Sequence, residues 1–411
     1  MKKESLEVWL MANLNKEEQR YYQKIFNNFK RKYNTDVNLK SVSWNKVFSD
    51  LMKAFKTGDP PDVFQMGTTW VNSFAHLGYL AEKPDFVDCV PLADWMKDYC
   101  SYGGREIAVP WNVEVKALLV NRKITDALGI NLSKIKTRGK FYELIADIKK
   151  ERENNPEIPF PFCFPLKSAN STLHSFTAWL LAAGDNFPDF NKIPQDILCS
   201  QPVLENFEEI LRLIKLTSDR DEYHKHYKHP YALYEEFSQE KKHIFYLGSW
   251  EMRTTPESWQ QEGYTIIPIP EAAANSRTRG GGSVLTVSEN CVQPELAWKL
   301  VEELLSEKYL EDWIKATGNV PAFRAKIWEE QKESPMVSTL YRQIKKSEEY
   351  PLHPSWSKIE QLLVEGIARY LWSMLQLSDK DQGSFSGQAI LKQTDNRIKS
   401  VLSFSWERFY T

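Results

Sequence analysis

Apolar positions change period several times along the first 80 residues. Ser5-Leu6-Glu7-Val8-Trp9-Leu10-Met11 alternates apolar with mixed residues, the period-two pattern of a strand. Asn15 offers a helix N-cap with Glu18 as its capping-box partner. Tyr22, Ile25, Phe26, Phe29 and Tyr33 then fall on one helical stripe. Val37, Leu39 and Val42 predict a second strand within Asp36 to Ser43, closed by Trp44. Val47, Leu51 and Phe55 predict a second helix, stopped by Gly58. After Pro60-Pro61, Asp62 to Met66 reads as a third strand, and a helix from near Trp70 ends at Gly78.

Strand and helix thus alternate, which predicts an α/β fold with a parallel sheet and helices on its faces. Ligands of such sheets sit beyond the carboxyl ends of the strands. Three chain points lie there, Met11 to Asn13, Trp44, and Gln65 to Trp70, and they are expected to converge on one crevice. Further on, Glu106 to Asn112 and Val115 to Asn121 look extended. Helical patterns cover 124–129, 140–153, 172–183, 203–217 and 231–240, with an irregular Pro- and Phe-rich stretch from Pro156 to Pro165. Strands are expected at 242–247, 264–269 and 284–287, a strong amphipathic helix at 294–307, and mostly helix over the last 90 residues.

The 411 residues suit two or three domains, and 42% hydrophobic with 26% charged residues is ordinary globular usage. A net charge of -2 without a single-signed block gives nucleic acid no basic face. No apolar stretch reaches the roughly 18 residues of a membrane span. The five cysteines contain no C-x-x-C pair; a Cys89–Cys100 disulfide stays open. His224, His226 and His229 lie in a Lys- and Tyr-rich stretch and read as a solvated loop, so neither metal nor cofactor is expected.

The order of features then becomes specific. Gly58-Asp59-Pro60-Pro61-Asp62-Val63, Phe74 to Leu80, Tyr102 to Pro110, Leu118-Leu119-Val120-Asn121-Arg122, Leu128-Gly129-Ile130, Phe245 to Trp250, Gly280-Gly281-Gly282 and Gly318 to Ala322 follow one another along nearly the whole chain. In that order the chain resembles the family 1 extracellular solute-binding proteins, the maltose-binding-protein-like receptors of ABC importers. Val120, where the family usually has Tyr, and a missing Met near Phe245 are departures. The resemblance implies a two-lobed periplasmic-binding-protein-like fold (type II) with the ligand in an interlobe cleft. Residues 1–120 with 272–320 would form the N-terminal lobe, and 121–271 with 321–411 the C-terminal lobe, with crossings near 119–123, 268–276 and 318–324. It further implies a monomer that binds a carbohydrate and delivers it to the transmembrane subunits of an ABC permease. The location would be extracytoplasmic, periplasmic or anchored at the cell surface. The sequence opens Met1-Lys2-Lys3-Glu4 without a signal segment, so an export signal removed from this sequence is expected.

A sugar presents C–H faces to flat rings and hydroxyls to paired donors and acceptors. Trp44, Trp111 with Asn112 and Glu114, and Trp250 with Glu251 and Arg253 combine rings with polar groups at expected strand ends. Gly281, Gly282 and Ser283 would let backbone approach a ligand. Asn13, Gln65 and Trp70 complete the candidate set, and Asp62 reads as structural. Trp298, Trp313 and Trp372 lie on helical patterns and read as core. Two alternatives stay open. Arg253, Arg279 and Lys167 would suit a charged solute (an acidic sugar, a peptide or a polyamine), and Glu114 facing Glu251 would suit a glycoside-acting enzyme. A binding protein without catalysis is the expectation.

Overall fold

The computed structural model describes residues 5–164, 166, 169–190, 192–217, 243–248, 263–330, 333–376 and 387–404. Within them the chain forms two compact units. The first holds residues up to Glu114 and Gly280–Lys345, the second runs from Val115 to Arg279 and resumes at Lys346.

In the first unit β1 (Ser5–Leu10) leads into α1 (Lys16–Tyr33). Asn15 caps α1, its Oδ1 accepting from the backbone N–H of Glu17 and Glu18 at 2.9 Å each. Tyr21, Tyr22, Ile25 and Phe29 form the buried stripe. β2 (Asp36–Ser41), α2 (Trp44–Thr57) and β3 (Val63–Gly67) follow. Trp44 therefore opens a helix rather than closing a strand. Gly58 ends that helix at φ 79°, a left-handed turn that favours glycine. A short 3-10 turn (Thr68–Trp70) enters α3 (Val71–His76). After α4 (Trp95–Tyr99) come a two-stranded ribbon, β4 (Ser101–Tyr102) with β5 (Arg105–Glu106), and β6 (Val109–Val115).

The second unit starts with β7 (Ala117–Asn121), α5 (Arg122–Ala127) and α6 (Arg138–Asn154). The Pro- and Phe-rich stretch, expected to be irregular, contributes β8 (Phe160–Cys163). Next are α7 (Ala169–Ala182), α8 (Gln201–Thr217), β9 (His243–Gly248) and β10 (Tyr264–Ile267). Its sheet runs β10-β7-β9-β8, and Phe141, Phe162, Trp179, Phe207 and Phe245 fill the core against it. The helix expected at 231–240 lies outside the described residues.

β11 (Thr278–Val287) begins in the second unit and continues into the first. It is longer than the expected 284–287, because the glycine run belongs to the strand. From Ser283 to Val287 it pairs antiparallel with β3. The order within the first unit is thus β11-β3-β1-β2, with β6 also on β11 and β1 parallel to both β2 and β3. α9 (Pro294–Leu305), α10 (Glu307–Thr317), α11 (Lys326–Glu330) and α12 (Pro335–Lys345) complete this unit. β12 (Ser347–Glu348), α13 (Trp356–Gln376) and α14 (Gly387–Ser403) belong to the second.

The passages between units fall at Glu114/Val115, Arg279/Gly280 and Lys345/Lys346. Residues 321–345, expected with the C-terminal lobe, stay with the first unit. Ala322 N–H donates to Trp111 O at 3.1 Å, Leu92 N–H to Ala322 O at 2.9 Å, and Arg324 N–H to Val90 O at 2.8 Å. Residues 272–279 lie in the second unit, where Thr278 Oγ1 donates to Lys116 O at 2.7 Å and Arg277 Nη2 to Asp185 O at 3.0 Å.

Candidate ligand-binding site

β1, β2 and β3 run parallel, so Leu10, Ser41 and Gly67 end on the same edge of the sheet. The segments leaving that edge are the three expected to converge. The structure ties them together. Val42 N–H donates to Leu10 O at 3.0 Å, Ser41 Oγ–H donates to Ala12 O, and Met11 N–H donates to Gln65 Oε1 at 2.9 Å. Asn13 is exposed in this loop, beside Leu14 at φ 51°, an unusual value for a residue with a side chain.

Trp44 is the aromatic platform of this edge. It remains 40% exposed, and its ring lies 4.9 Å from that of Trp70, tilted by 36°. Trp70 is buried and meets Phe48 edge-on at 5.6 Å. It therefore backs Trp44 rather than presenting a face of its own. Gly67 makes the seat. A methyl group there would sit 3.1 Å from Trp44 Cη2 and 3.3 Å from Trp70 Cδ2. The sequence reading missed Gly67; its position directly after an apolar strand run was the available signal. It also missed Thr68, whose Oγ1 donates to Gly282 O at 3.4 Å.

Three polar candidates meet beneath this edge. Gln65 Nε2 donates to Ser283 Oγ at 2.7 Å, and Ser283 Oγ–H donates to Asn112 Oδ1. All three side chains are buried. Asp62 is structural, as read: its Oδ2 accepts from Glu7 N–H at 2.8 Å. Glu114 is half-buried at the end of the first unit. Strand alternation puts it on the same face of β6 as Asn112.

Two expectations need correction. Trp111 lies inside β6, not at a strand end, and is 1% exposed. Its side chain leaves the face opposite Asn112 and packs on Trp313, with ring centroids 4.5 Å apart. It is a core residue. The glycines of β11 serve a neighbouring strand. A Cβ on Gly282, at φ 148°, would lie 2.0 Å from Asn112 O, so β6 and β11 approach this closely only because a side chain is absent. Gly281 is buried in the same run. Trp250, Glu251, Arg253 and Lys167 lie outside the described residues, as do His224, His226 and His229.

Arg279, named for an anionic ligand, has another occupation in the second unit. It pairs with Glu349 at 2.7 Å, both side chains buried, and lies 4.8 Å over the Tyr350 ring. Cys89, Cys100, Cys199 and Cys291 are free thiols. Among the described residues no cluster of three His, Cys, Asp or Glu could hold a metal, and no helix is long and apolar enough to cross a membrane.

Comparison with known proteins agrees with this architecture. The diacetylchitobiose binding protein DasA of Streptomyces coelicolor is 25% identical over 368 residues, covering 87% of this chain and 82% of the relative. The GacH receptor of Streptomyces glaucescens matches with a TM-score of 0.75 at 16% identity, over 97% of this chain and 98% of that one. The maltotriose binding protein of Thermus thermophilus matches at 0.72 and 16%, over 97% and 100%. These structural likenesses establish the α/β fold. Residues 14–311 match the sequence pattern of the family itself, and the chain belongs to the bacterial extracellular solute-binding proteins.

Proposed function

We propose that this protein captures a neutral oligosaccharide outside the cytoplasm, as a monomer, and hands it to the transmembrane subunits of an ABC permease. It does so by binding, without chemical change to the sugar. The observation that carries this reading is Trp44, an indole 40% exposed at the carboxyl edge of a parallel sheet and held on Trp70 over Gly67. A partly exposed ring fixed in one tilt is suited to the C–H face of a sugar. Asn13, Thr68, Asn112 and Glu114, on the segments of the same edge, carry donors and acceptors suited to hydroxyls. Arg279, engaged with Glu349, weighs against an anionic ligand. The relative named for diacetylchitobiose and the neighbour solved with maltotriose support a neutral oligosaccharide.

Titration calorimetry with diacetylchitobiose, maltotriose and an acidic oligosaccharide tests the proposal. A neutral sugar is expected to bind in the micromolar range or tighter, about -8 kcal/mol or better. Binding of the acidic sugar alone would overturn the reading.

A further inference from the structure

In the first unit a backbone N–H fixes the orientation of one amide in a buried hydrogen-bond chain. Met11 N–H can only donate, and it meets Gln65 Oε1 at 2.9 Å. That sets which way the Gln65 amide lies and turns Nε2 to Ser283 Oγ at 2.7 Å. The Ser283 oxygen is then an acceptor from Gln65, and its own proton goes to Asn112 Oδ1. The structure sets Asn112 Oδ1 on that proton as the acceptor end, and Nδ2, with two protons to give, is the outer end of the chain. Asn112 is only 7% exposed, and among the described residues nothing accepts from Nδ2. Nδ2 is not one of the fully buried polar atoms without a partner, so it keeps access to the surface, where a ligand oxygen can meet it.

We infer that Asn112 reads a ligand oxygen as an obligatory donor, and that Gln65 and Ser283 are positioning residues that hold its amide in that orientation. The group it takes is an acceptor oxygen of an uncharged sugar, whether a hydroxyl, a ring oxygen or an amide carbonyl. Glu114, two residues along the same strand face, supplies the complementary acceptor for a hydroxyl proton. The inference rests on the carbohydrate reading above. It reassigns two of the polar candidates from touching ligand to orienting the residue that does.

The test is Asn112→Asp, measured by calorimetry with the sugar that the wild type binds. One oxygen still accepts from Ser283, but at pH 7 the other is a second acceptor where a donor is required. Affinity is expected to fall by about tenfold or more, the scale of one lost hydrogen bond with an unmatched partner. Lowering the pH from 7 to 5 should restore part of it, because burial raises a carboxyl above its ordinary value of about 3.9 and the protonated acid donates again. Ser283→Ala should weaken binding by about threefold to tenfold with no recovery at low pH. Unchanged affinity of Asn112→Asp at pH 7, or a loss of the same size at both pH values, overturns the inference. A readout in the wild type covers the case of a variant that does not fold. The Asn112 side-chain amide proton resonances should shift on adding sugar, and stationary resonances overturn the assignment. Absence of wild-type binding to any sugar would instead sink the carbohydrate reading.

Discussion

Trp44 and Trp111 look alike in the sequence but differ in burial, and on the proposed reading only the truncation of Trp44 should lower affinity. Trp44 is 40% exposed. A tryptophan side chain spans up to about 250 Å², which leaves ~100 Å² for a ligand to cover. At ~25 cal/mol per Å² full coverage contributes ~2.5 kcal/mol, and a sugar covering half of it contributes ~1.2 kcal/mol. Trp44→Ala should therefore weaken binding by about 8-fold to 70-fold. The rest of the side chain, ~150 Å², is covered by protein, so a stability loss of up to about 3 kcal/mol accompanies the loss of affinity. Trp111 is 1% exposed and stacked on Trp313. Trp111→Ala leaves a cavity in the first unit, worth ~3–5 kcal/mol of stability. The protein that remains folded should bind within about twofold of wild type, since the indole reaches no ligand. Calorimetry at 10–15 °C below each variant's melting point, with melting points from differential scanning calorimetry, separates the two effects. Wild-type affinity in Trp44→Ala would remove the platform from the argument. A large affinity loss in folded Trp111→Ala would show that the buried ring acts on the site after all.

Other consequences follow from buried features. Gly282→Ala drives a methyl into Asn112 O at 2.0 Å and fixes L-residue strain at φ 148°; more than about 3 kcal/mol should be lost, seen as a lowered melting point or insoluble expression. Glu349→Gln removes the buried ion pair with Arg279 and should cost ~3 kcal/mol in urea unfolding of the second unit. His174 is held neutral well below the ordinary histidine range, first by burial and then by Arg279 and Lys116, while its Nδ1 lies 2.8 Å from Tyr350 Oη. The unfolded chain takes up this proton below about pH 6.5 and the folded chain does not. Stability should therefore fall by ~1.4 kcal/mol for each pH unit below that point, down to the depressed folded value. His174→Gln should flatten this slope in urea titrations at pH 7, 6 and 5, and an unchanged slope would clear His174 of the effect.

Much of the fold was legible because it rests on local periodicity. The alternation of β1 survives as read, the stripe of α1 keeps Tyr22, Ile25 and Phe29 while Tyr21 joins it and Phe26 and Tyr33 are half-buried, and Asn15, with two N–H partners, was recognisable as a cap from its position. β11 was read short because glycines weaken strand propensity, whereas here Gly282 is required by strand approach, a tertiary demand with no local trace. The assignment of 321–345 failed for a related reason. The bonds that keep Ala322 and Arg324 in the first unit go to Trp111 and Val90, more than 200 positions away.

The site was legible in its edge but not in its roles. Parallel strands force three chain segments to one side, so Asn13, Trp44 and Gln65 could be named from topology before any contact was known. What a side chain does at that edge depends on which face of its strand it leaves and on whether its polar atoms are already engaged. Trp111 and Asn112 are adjacent in sequence, and the strand's period of two sends one to the Trp313 core and the other to Ser283. Gln65 was a fair ligand candidate by composition, yet Met11 N–H and Ser283 Oγ occupy both ends of its amide. A sequence displays the number of donors and acceptors, but only the closed hydrogen-bond chain shows which of them are left over. By that accounting the Asn112 amide is a donor left over among the described residues at this edge, and the ligand we infer for it brings an oxygen.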